Sequence, residues 1–187
     1  MKVDHLRLEG LRLLQPQRFD DDRGYFFESF NQSVFDAAIG RPTVFVQDNH
    51  TRSKRGVLRG LHFQCAPQEQ AKLIRVVHGE IFDVVVDIRE KSPTFGEWLG
   101  TYLSAENQQQ LWIPEGFAHG FLVVSDWAEV LYKTTAFWST DCERTIAWNC
   151  PNLRIQWPIN TLPILSSKDA NAAGFIQAFM PSSGEDR

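Results

Sequence analysis

Six polar or charged side chains lie within otherwise apolar stretches of this sequence: Arg59, His62, Lys72, His119, Tyr132 and Glu143. Taken singly, each is more often structural, and a lone histidine is most simply a core residue with satisfied hydrogen bonds. As a set they are costly to bury without a purpose. An imidazole and cations in apolar surroundings suit a pocket that binds an anion and moves a proton.

The stretch from Gly56 to Gln64 is the centre of this set and is typical of a β-strand. Strand side chains alternate between two faces. The spacing therefore predicts that Arg59 shares one face with apolar neighbours, whereas His62 and Gln64 share the opposite face.

The elements that must position these residues are short strands separated by Gly and Pro turns. We predict one or two strands in residues 3–14, and further strands at 25–30, 44–49, 57–64, 72–77, 81–89, 98–104, 111–113, 121–124, 129–137 and 144–148. This pattern indicates an all-β barrel or sandwich. Residues 51–56 are expected to form a basic loop.

Two helices are predicted: one is capped by Asn31, runs through Ala38 and is closed by Gly40 and Pro42, and the other is capped by Ser166 or Ser167 and runs through Phe179. Residues 181–187 are expected to form a flexible tail. With 187 residues and no internal repeat, the chain is expected to form a single domain from 1 to 187.

Composition excludes several classes of protein. The net charge of −4 argues against nucleic-acid binding. Cys65, Cys142 and Cys150 match neither a metal site nor a disulfide framework. The charged N-terminus is unlike a signal peptide, and the apolar runs are too short to cross a membrane. We therefore expect a cytoplasmic protein without a membrane partner.

The segment Pro114-Glu115-Gly116-Phe117-Ala118-His119 resembles the second motif of the cupin barrels. The first cupin motif normally supplies two histidines, but His62-Phe63-Gln64 supplies one. Two histidines without a secure third ligand make a poor metal site, so no metal is expected. The sequence also lacks the glycine-rich dinucleotide and ATP motifs and the serine-hydrolase elbow.

More of the chain resembles the dTDP-4-dehydrorhamnose 3,5-epimerase family. The resemblance rests on several pieces in the same order: residues 23–28, 47–49, 56–64, 71–72, 82–89, 92–96, 114–119, 132–135 and 165–170. It implies a cupin-type jelly-roll β-barrel with a few short helices, mainly C-terminal. It also implies a homodimer whose N-terminal strands contribute to the partner's sheet and site.

The same resemblance implies the chemistry. The expected reaction inverts C3 and C5 of dTDP-4-dehydro-6-deoxy-D-glucose through an enolate and yields dTDP-4-dehydro-L-rhamnose. His62 is implied as the base, oriented by Asp169. Lys72 is implied to face the developing oxyanion at O4, and Tyr132 to return the proton on the other face. No cofactor is implied, since the ketone is the electron sink.

The implied substrate-binding residues are Arg23, Glu28, Gln47, Asn49, Arg59, Lys72, His119, Trp138, Glu143 and Lys168. Arg59 is expected to pair with the diphosphate. Phe137-Trp138 replaces the family's usual Tyr-Tyr pair, and an indole can stack on thymine as a phenol does. Cys150 stands where an aspartate is usual, with only a structural effect expected.

Three alternatives remain open on the sequence alone. The first is an epimerase of the same fold that acts at C3 only or at C5 only, in another deoxysugar pathway. The second is a sugar-nucleotide-binding cupin without catalysis. The third is a metal-dependent cupin enzyme.

Overall fold

The computed structural model describes residues 1–179, so the predicted tail at 181–187 lies outside the described residues. The strands are β1 (Lys2–His5), β2 (Arg12–Gln15), β3 (Arg18–Asp21), β4 (Gly24–Phe27), β5 (Gln47–Lys54), β6 (Leu58–Gln64), β7 (Lys72–His78), β8 (Glu80–Asp87), β9 (Trp98–Ser104), β10 (Gln110–Ile113), β11 (Phe117–Val123), β12 (Trp127–Thr134) and β13 (Glu143–Thr145). The helices are α1 (Gln32–Ile39) and α2 (Ser167–Ala170), and a 3-10 turn covers Gln177–Phe179.

Two antiparallel sheets form the body of the molecule. The six-stranded sheet has the order β1-β2-β10-β7-β12-β5, and the five-stranded sheet has the order β13-β6-β11-β8-β9. Strands β3 and β4 form a separate hairpin. The predicted all-β, jelly-roll class is confirmed. None of the helices in residues 1–179 is long and apolar enough to cross a membrane.

The core is divided by the five-stranded sheet. Side chains from both sheets, including Ile74, Val85 and Phe121, fill the space between them. On the other face of the five-stranded sheet, a second cluster includes Leu61, Val84 and residues of the C-terminal segment. Because both faces of this sheet are covered, its strands are apolar almost throughout, as β8 and β11 show.

Helix α1 follows its predicted caps. The Asn31 side chain accepts a hydrogen bond from the backbone N–H of Val34, and Gly40 ends the helix with a φ of 78°. Phe35 anchors the helix on the six-stranded sheet against Trp112, with ring centroids 5.3 Å apart. This packing fixes the chain shortly before strand β5 begins.

Several strand predictions are wrong in their bounds; β11, for example, begins at Phe117 rather than at residue 121, and β13 ends at Thr145 rather than at residue 148. Residues 51–54 belong to strand β5 rather than to a basic loop, and residues 44–46 lie outside any strand. Residues 18–21 form strand β3, although the sequence there is polar. Strand β5 is the edge of its sheet and carries polar and charged side chains, which suit an exposed edge but hide the strand from pattern reading.

The predicted C-terminal helix is much shorter than expected. It begins at the predicted cap, Ser166, but ends at Ala170. Ala173 then pairs with strand-like residues near β13: it forms a bridge with Ile146, and its carbonyl accepts a hydrogen bond from the N–H of Ala147 at 2.7 Å. This pairing replaces the helical hydrogen bonds that the sequence pattern favoured.

Candidate active site

A buried His–Asp pair lies at the centre of the candidate site. The Nε2 atom of His62 on β6 is 2.6 Å from Oδ1 of Asp169 on α2. The side chain of Asp169 is 3% exposed and that of His62 is 26% exposed. The Ser166 hydroxyl donates to the other carboxylate oxygen at 2.7 Å, and the N–H of Asp169 donates to Ser166 Oγ. The N-terminal cap of α2 therefore aims the carboxylate at the imidazole.

The electrostatics of this pair favour a neutral imidazole beside a carboxylate. Burial lowers the pKa of His62, and this effect outweighs the hydrogen bond and negative charge of Asp169, which raise it. Burial acts to raise the pKa of Asp169, but hydrogen bonds from His62 and Ser166 bring the net pKa below its ordinary value. At neutral pH the imidazole can accept a proton, and the carboxylate can orient it.

The predicted faces of strand β6 need a correction. Leu58 and Leu61 both pack into the outer cluster, although one is even-numbered and the other odd-numbered. The register with β11 shifts opposite Gly60, where a Cβ atom would lie 2.6 Å from Gly120 Cα. Arg59 therefore lies on the inner face with His62, and its Nε donates to Ser53 Oγ of the facing sheet at 3.0 Å. The prediction that Arg59 and His62 lie on opposite faces of the strand is wrong.

A cavity of about 110 Å³ opens beside His62. It is lined by Gln47, Asn49, His62, Phe63, Gln64, Gln70, Lys72, Tyr132, Trp138 and Glu143. Seven of these residues belong to the predicted site, and they come from strands of both sheets and from the segment after β12. Residues that are far apart in the chain thus share one pocket, as inward-facing positions of a barrel can.

Lys72 is a buried cation in this pocket. Its residue is 7% exposed, and its Nζ donates to the His62 carbonyl at 3.3 Å. Burial lowers the pKa of Lys72 to about 8, although the negative charges of Asp83 and Glu143 act to raise it. The ammonium group is poorly compensated, which suits a site where negative charge develops during a reaction.

Tyr132 reaches the same pocket from β12 of the opposite sheet. Burial raises the pKa of its phenol, while the nearby charge of Arg59 lowers it. The phenol therefore stays protonated at neutral pH and can donate a proton. His62 and Tyr132 therefore line the same cavity from opposite sheets.

His119 is adjacent to His62 across the ladder between β6 and β11. It is buried, and its Nε2 is 2.9 Å from Oδ2 of the fully buried Asp83. The other oxygen of Asp83 has no hydrogen-bond partner within the described part of the chain. Sequence reasoning did not single out Asp83, because it lies in the apolar run of β8.

One further contact completes the pocket wall. Lys168 donates to Glu143 Oε1 at 2.7 Å. Burial acts to raise the pKa of Glu143, but the hydrogen bond and charge of Lys168 lower it overall. These two predicted site residues form an ion pair at the rim of the cavity. Lys168 immediately precedes Asp169 in the chain.

Gln64 lines the cavity, and the sequence did not indicate what its side chain contacts. Its Oε1 accepts from the N–H of Ser139 at 2.7 Å, and its Nε2 donates to the carbonyls of Gln68 and Phe137. Gln47 Oε1 accepts from the N–H of Trp138 at 3.0 Å. The two glutamines thus hold the backbone of residues 137–139, which carries the exposed Trp138. Because the side-chain amide of Gln64 already makes these hydrogen bonds, Gln64 is unsuited to take the place of the second histidine of the cupin metal motif.

Arg23 and Glu28 are not brought to this pocket. Arg23 is at the tip of the β3–β4 hairpin, is 89% exposed and pairs with Asp21. Glu28 accepts hydrogen bonds from Asn31. A second cavity, of about 250 Å³ near Arg75 and Leu131, shares Asn49 and Tyr132 with the first cavity but does not contain the His–Asp pair.

A jelly roll with a carboxylate-oriented imidazole, a buried cation and a phenol around one cavity is an arrangement suited to a cupin-type isomerase that works by proton transfer. Among residues 1–179, no group of three or more His, Cys, Asp or Glu side chains is arranged to hold a metal ion. The set suits abstraction of a proton next to a carbonyl group, with the cation placed to stabilise an enolate.

Comparison with known proteins identifies the family. Residues 5–177 match the family model for dTDP-4-dehydrorhamnose 3,5-epimerase. The chain is 56% identical to the dTDP-4-dehydrorhamnose 3,5-epimerase of Pseudomonas aeruginosa, over 95% of this chain and 98% of that one. It is also 56% identical to that of Salmonella typhimurium, over 96% and 98% of the two chains.

A solved structure shares the fold. The dTDP-6-deoxy-D-glucose-3,5-epimerase of Legionella pneumophila, in complex with dTDP-4-keto-L-rhamnose, matches with a TM-score of 0.89 and 46% identity, over 92% of each chain. The chain belongs to the dTDP-4-dehydrorhamnose 3,5-epimerase family.

Proposed function

We propose that His62 and Tyr132 act as base and acid in the epimerisation of C3 and C5 of dTDP-4-dehydro-6-deoxy-D-glucose, the isomerase reaction of this family, which supplies dTDP-L-rhamnose biosynthesis. The observation that carries the proposal is that His62, hydrogen-bonded to Asp169, and Tyr132 line one cavity from opposite sheets, together with the buried Lys72.

The substrate provides its own electron sink. The ketone at C4 acidifies the protons on both C3 and C5, because either deprotonation gives an enolate with its charge on O4. One base and one oxyanion site can therefore serve both carbons in turn. The chemistry needs no redox cofactor, since the sugar is neither oxidised nor reduced overall.

His62 is the base in this proposal. Asp169, as a carboxylate, accepts a hydrogen bond from Nε2, which leaves Nδ1 as the nitrogen that can take a proton. Burial keeps the imidazole neutral before the reaction, and the adjacent carboxylate stabilises the imidazolium that forms after it. Asp169 acts as a positioning residue that fixes the ring and its tautomer.

Lys72 stabilises the enolate. A buried ammonium interacts with a developing negative charge much more strongly than one in water does. Its neighbours Asp83 and Glu143 act to keep it protonated in spite of burial. Binding of the anionic enolate would favour the protonated form further.

Tyr132 returns the proton on the face opposite His62. Its position on β12 places it across the cavity from the base on β6. Protonation from that face inverts the carbon, whereas reprotonation by His62 restores the starting configuration. The division of labour between the two residues therefore determines the stereochemical outcome.

The other predicted residues bind the nucleotide. Arg59, on the inner face of β6, is proposed to pair with the diphosphate. Trp138, held by Gln47 and exposed at the pocket edge, is proposed to stack on thymine. Asn49, His119, Glu143 and Lys168 would contact the remaining polar groups.

We also propose a homodimer, with Arg23 and Glu28 serving the partner's pocket. The β3–β4 hairpin that carries Arg23 exposes three aromatic side chains, Phe19, Tyr25 and Phe26, which a partner surface could cover. A cytoplasmic location is proposed as well, because none of the three cysteines is paired within the described residues.

The test is incubation of the protein with dTDP-4-keto-6-deoxyglucose in deuterium oxide, followed by NMR of the sugar. Epimerisation at both carbons puts deuterium at C3 and at C5, with both configurations inverted. Deuterium at one carbon alone would show a C3-only or C5-only epimerase. A bound nucleotide sugar without any exchange would show a binding protein.

A further inference from the structure

Two cysteines lie next to each other at the ends of neighbouring strands, at the edge of the pocket wall. Gln64, the last residue of β6, is directly opposite Glu143, the first residue of β13, and the residues just beyond this pair are Cys65 and Cys142. The N–H of Cys65 donates to the carbonyl of Cys142 at 2.9 Å, so the strands are still joined there. A hydrogen-bonded antiparallel pair has a Cα–Cα separation of about 5.5 Å. Disulfides typically span roughly 4.4–6.8 Å between Cα atoms.

The two thiols lie on the same side of the sheet. Leu61 and Ile146 form an earlier hydrogen-bonded pair of this ladder, and both side chains lie in the outer cluster. Side chains alternate along a strand, so Cys65 and Cys142 project to this outer side. The Cys142 thiol points towards the neighbouring strand, since its Sγ is 4.0 Å from the carbonyl of Ala66, the residue after Cys65.

Both cysteines are unbonded and partly exposed, whereas Cys150 is buried. An oxidant can therefore reach the pair but not the third cysteine. The thiols flank the wall formed by Gln64 and Glu143, which face the cavity from the same two strands.

We propose that Cys65 and Cys142 form a redox-responsive modification site, a dithiol that closes reversibly to a disulfide between β6 and β13. The thiolate of one cysteine attacks an oxidised low-molecular-weight disulfide, such as glutathione disulfide, and expels one glutathione thiolate. The thiolate of the second cysteine then attacks the mixed disulfide and expels the second glutathione. Two protein thiols are oxidised, one glutathione disulfide is reduced, and two glutathione molecules are released.

The bridge would clamp the pocket wall. It joins the ends of two strands whose next residues, Gln64 and Glu143, hold the 137–139 segment and Lys168. It also closes a chain loop that contains β7 to β12, which restricts the unfolded chain. In a reducing cytoplasm the pair stays open, and it closes when the glutathione pool becomes oxidised.

The experiment treats purified, pre-reduced protein with glutathione disulfide and maps its peptides by mass spectrometry without reduction. We expect a peptide pair linked through Cys65 and Cys142 within one chain, a higher melting temperature than that of the reduced protein, and reversal of both by dithiothreitol. Stable glutathione adducts without a link, or links only between chains, would overturn the proposal.

Two serine variants sharpen the result. Cys150→Ser should form the bridge as the wild type does. Cys142→Ser should stop at a glutathione adduct on Cys65, because the second thiol is missing, and should show no bridge-dependent gain in melting temperature. If oxidation raised the melting temperature of Cys142→Ser as much as that of the wild type, the disulfide would not be the cause of the stabilisation. If a variant fails to fold, the wild type still provides the test. After oxidation, Cys65 and Cys142 should resist alkylation and appear in a linked peptide, and alkylation of both thiols would contradict the proposal.

Discussion

Replacing Lys72 with methionine should make the protein more stable while removing its activity. Lys72 is 7% exposed, and burial lowers its pKa from the ordinary value of 10.5 to about 8. The difference corresponds to about 3 kcal/mol, which is the cost of keeping the ammonium charged in the folded protein at neutral pH. Methionine has a similar shape without the charge, so the variant avoids up to this amount.

The effect depends on pH in a defined direction. Because the pKa is lower in the folded state, the unfolded chain binds more protons between pH 8 and 10.5. The contribution of Lys72 to the free energy of unfolding therefore rises with pH across that window. The cost of burying the charged ammonium is fully present below pH 8. The stability difference between Lys72→Met and wild type should accordingly be largest at pH 7 and shrink at pH 9.5.

Urea denaturation at the two pH values measures this difference, with deuterium exchange as the activity assay. Lys54→Met is the matched control, because Lys54 is exposed and its loss should change the free energy of unfolding by no more than about 0.5 kcal/mol. A Lys72→Met variant that is less stable than wild type at pH 7, or one that keeps its activity, would refute the reasoning.

Three further outcomes are expected. Tyr132→Phe should still exchange deuterium, with retained configuration, because His62 can reprotonate the enolate from its own side; normal inversion at C5 would exclude Tyr132 as the acid. Trp138→Ala should weaken dTDP binding by about 1–3 kcal/mol in calorimetry, the range for loss of base stacking, and unchanged affinity would mean that the indole only packs. Asp169→Asn should lower kcat with the fold intact, since the imidazole loses its orienting charge, and a fully active variant would remove Asp169 from the mechanism.

Much of the fold was predictable from local pattern. Strand β9 has the predicted bounds, and the caps of α1 fall on Asn31 and Gly40 as expected. These features depend on residues close together in the chain. Strand β5 was missed in part because polar side chains on an edge strand show no apolar alternation. The C-terminal helix was overestimated because Ala173 pairs with a distant segment, which local propensity does not report.

The candidate site, like the fold, could be predicted from the sequence only in part. A polar set around His62 could be recognised from its residue types, but the face of Arg59 could not, because a single register shift at Gly60 reverses the alternation. Asp169 is 107 positions from His62 in the chain, and only the family resemblance pointed to their contact. The hydrogen bonds of Gln64 depend on the path of residues 137–139 and left no signal in the sequence.

The most direct test of the mechanism is deuterium exchange by His62→Asn. The amide keeps much of the shape of the imidazole but cannot act as the base, and Arg59 and Trp138 remain to bind the nucleotide. We expect a folded protein that binds dTDP and incorporates no deuterium at C3 or C5 of dTDP-4-keto-6-deoxyglucose by NMR. Substantial deuterium at either carbon in this variant would contradict the assignment of His62 as the base for both.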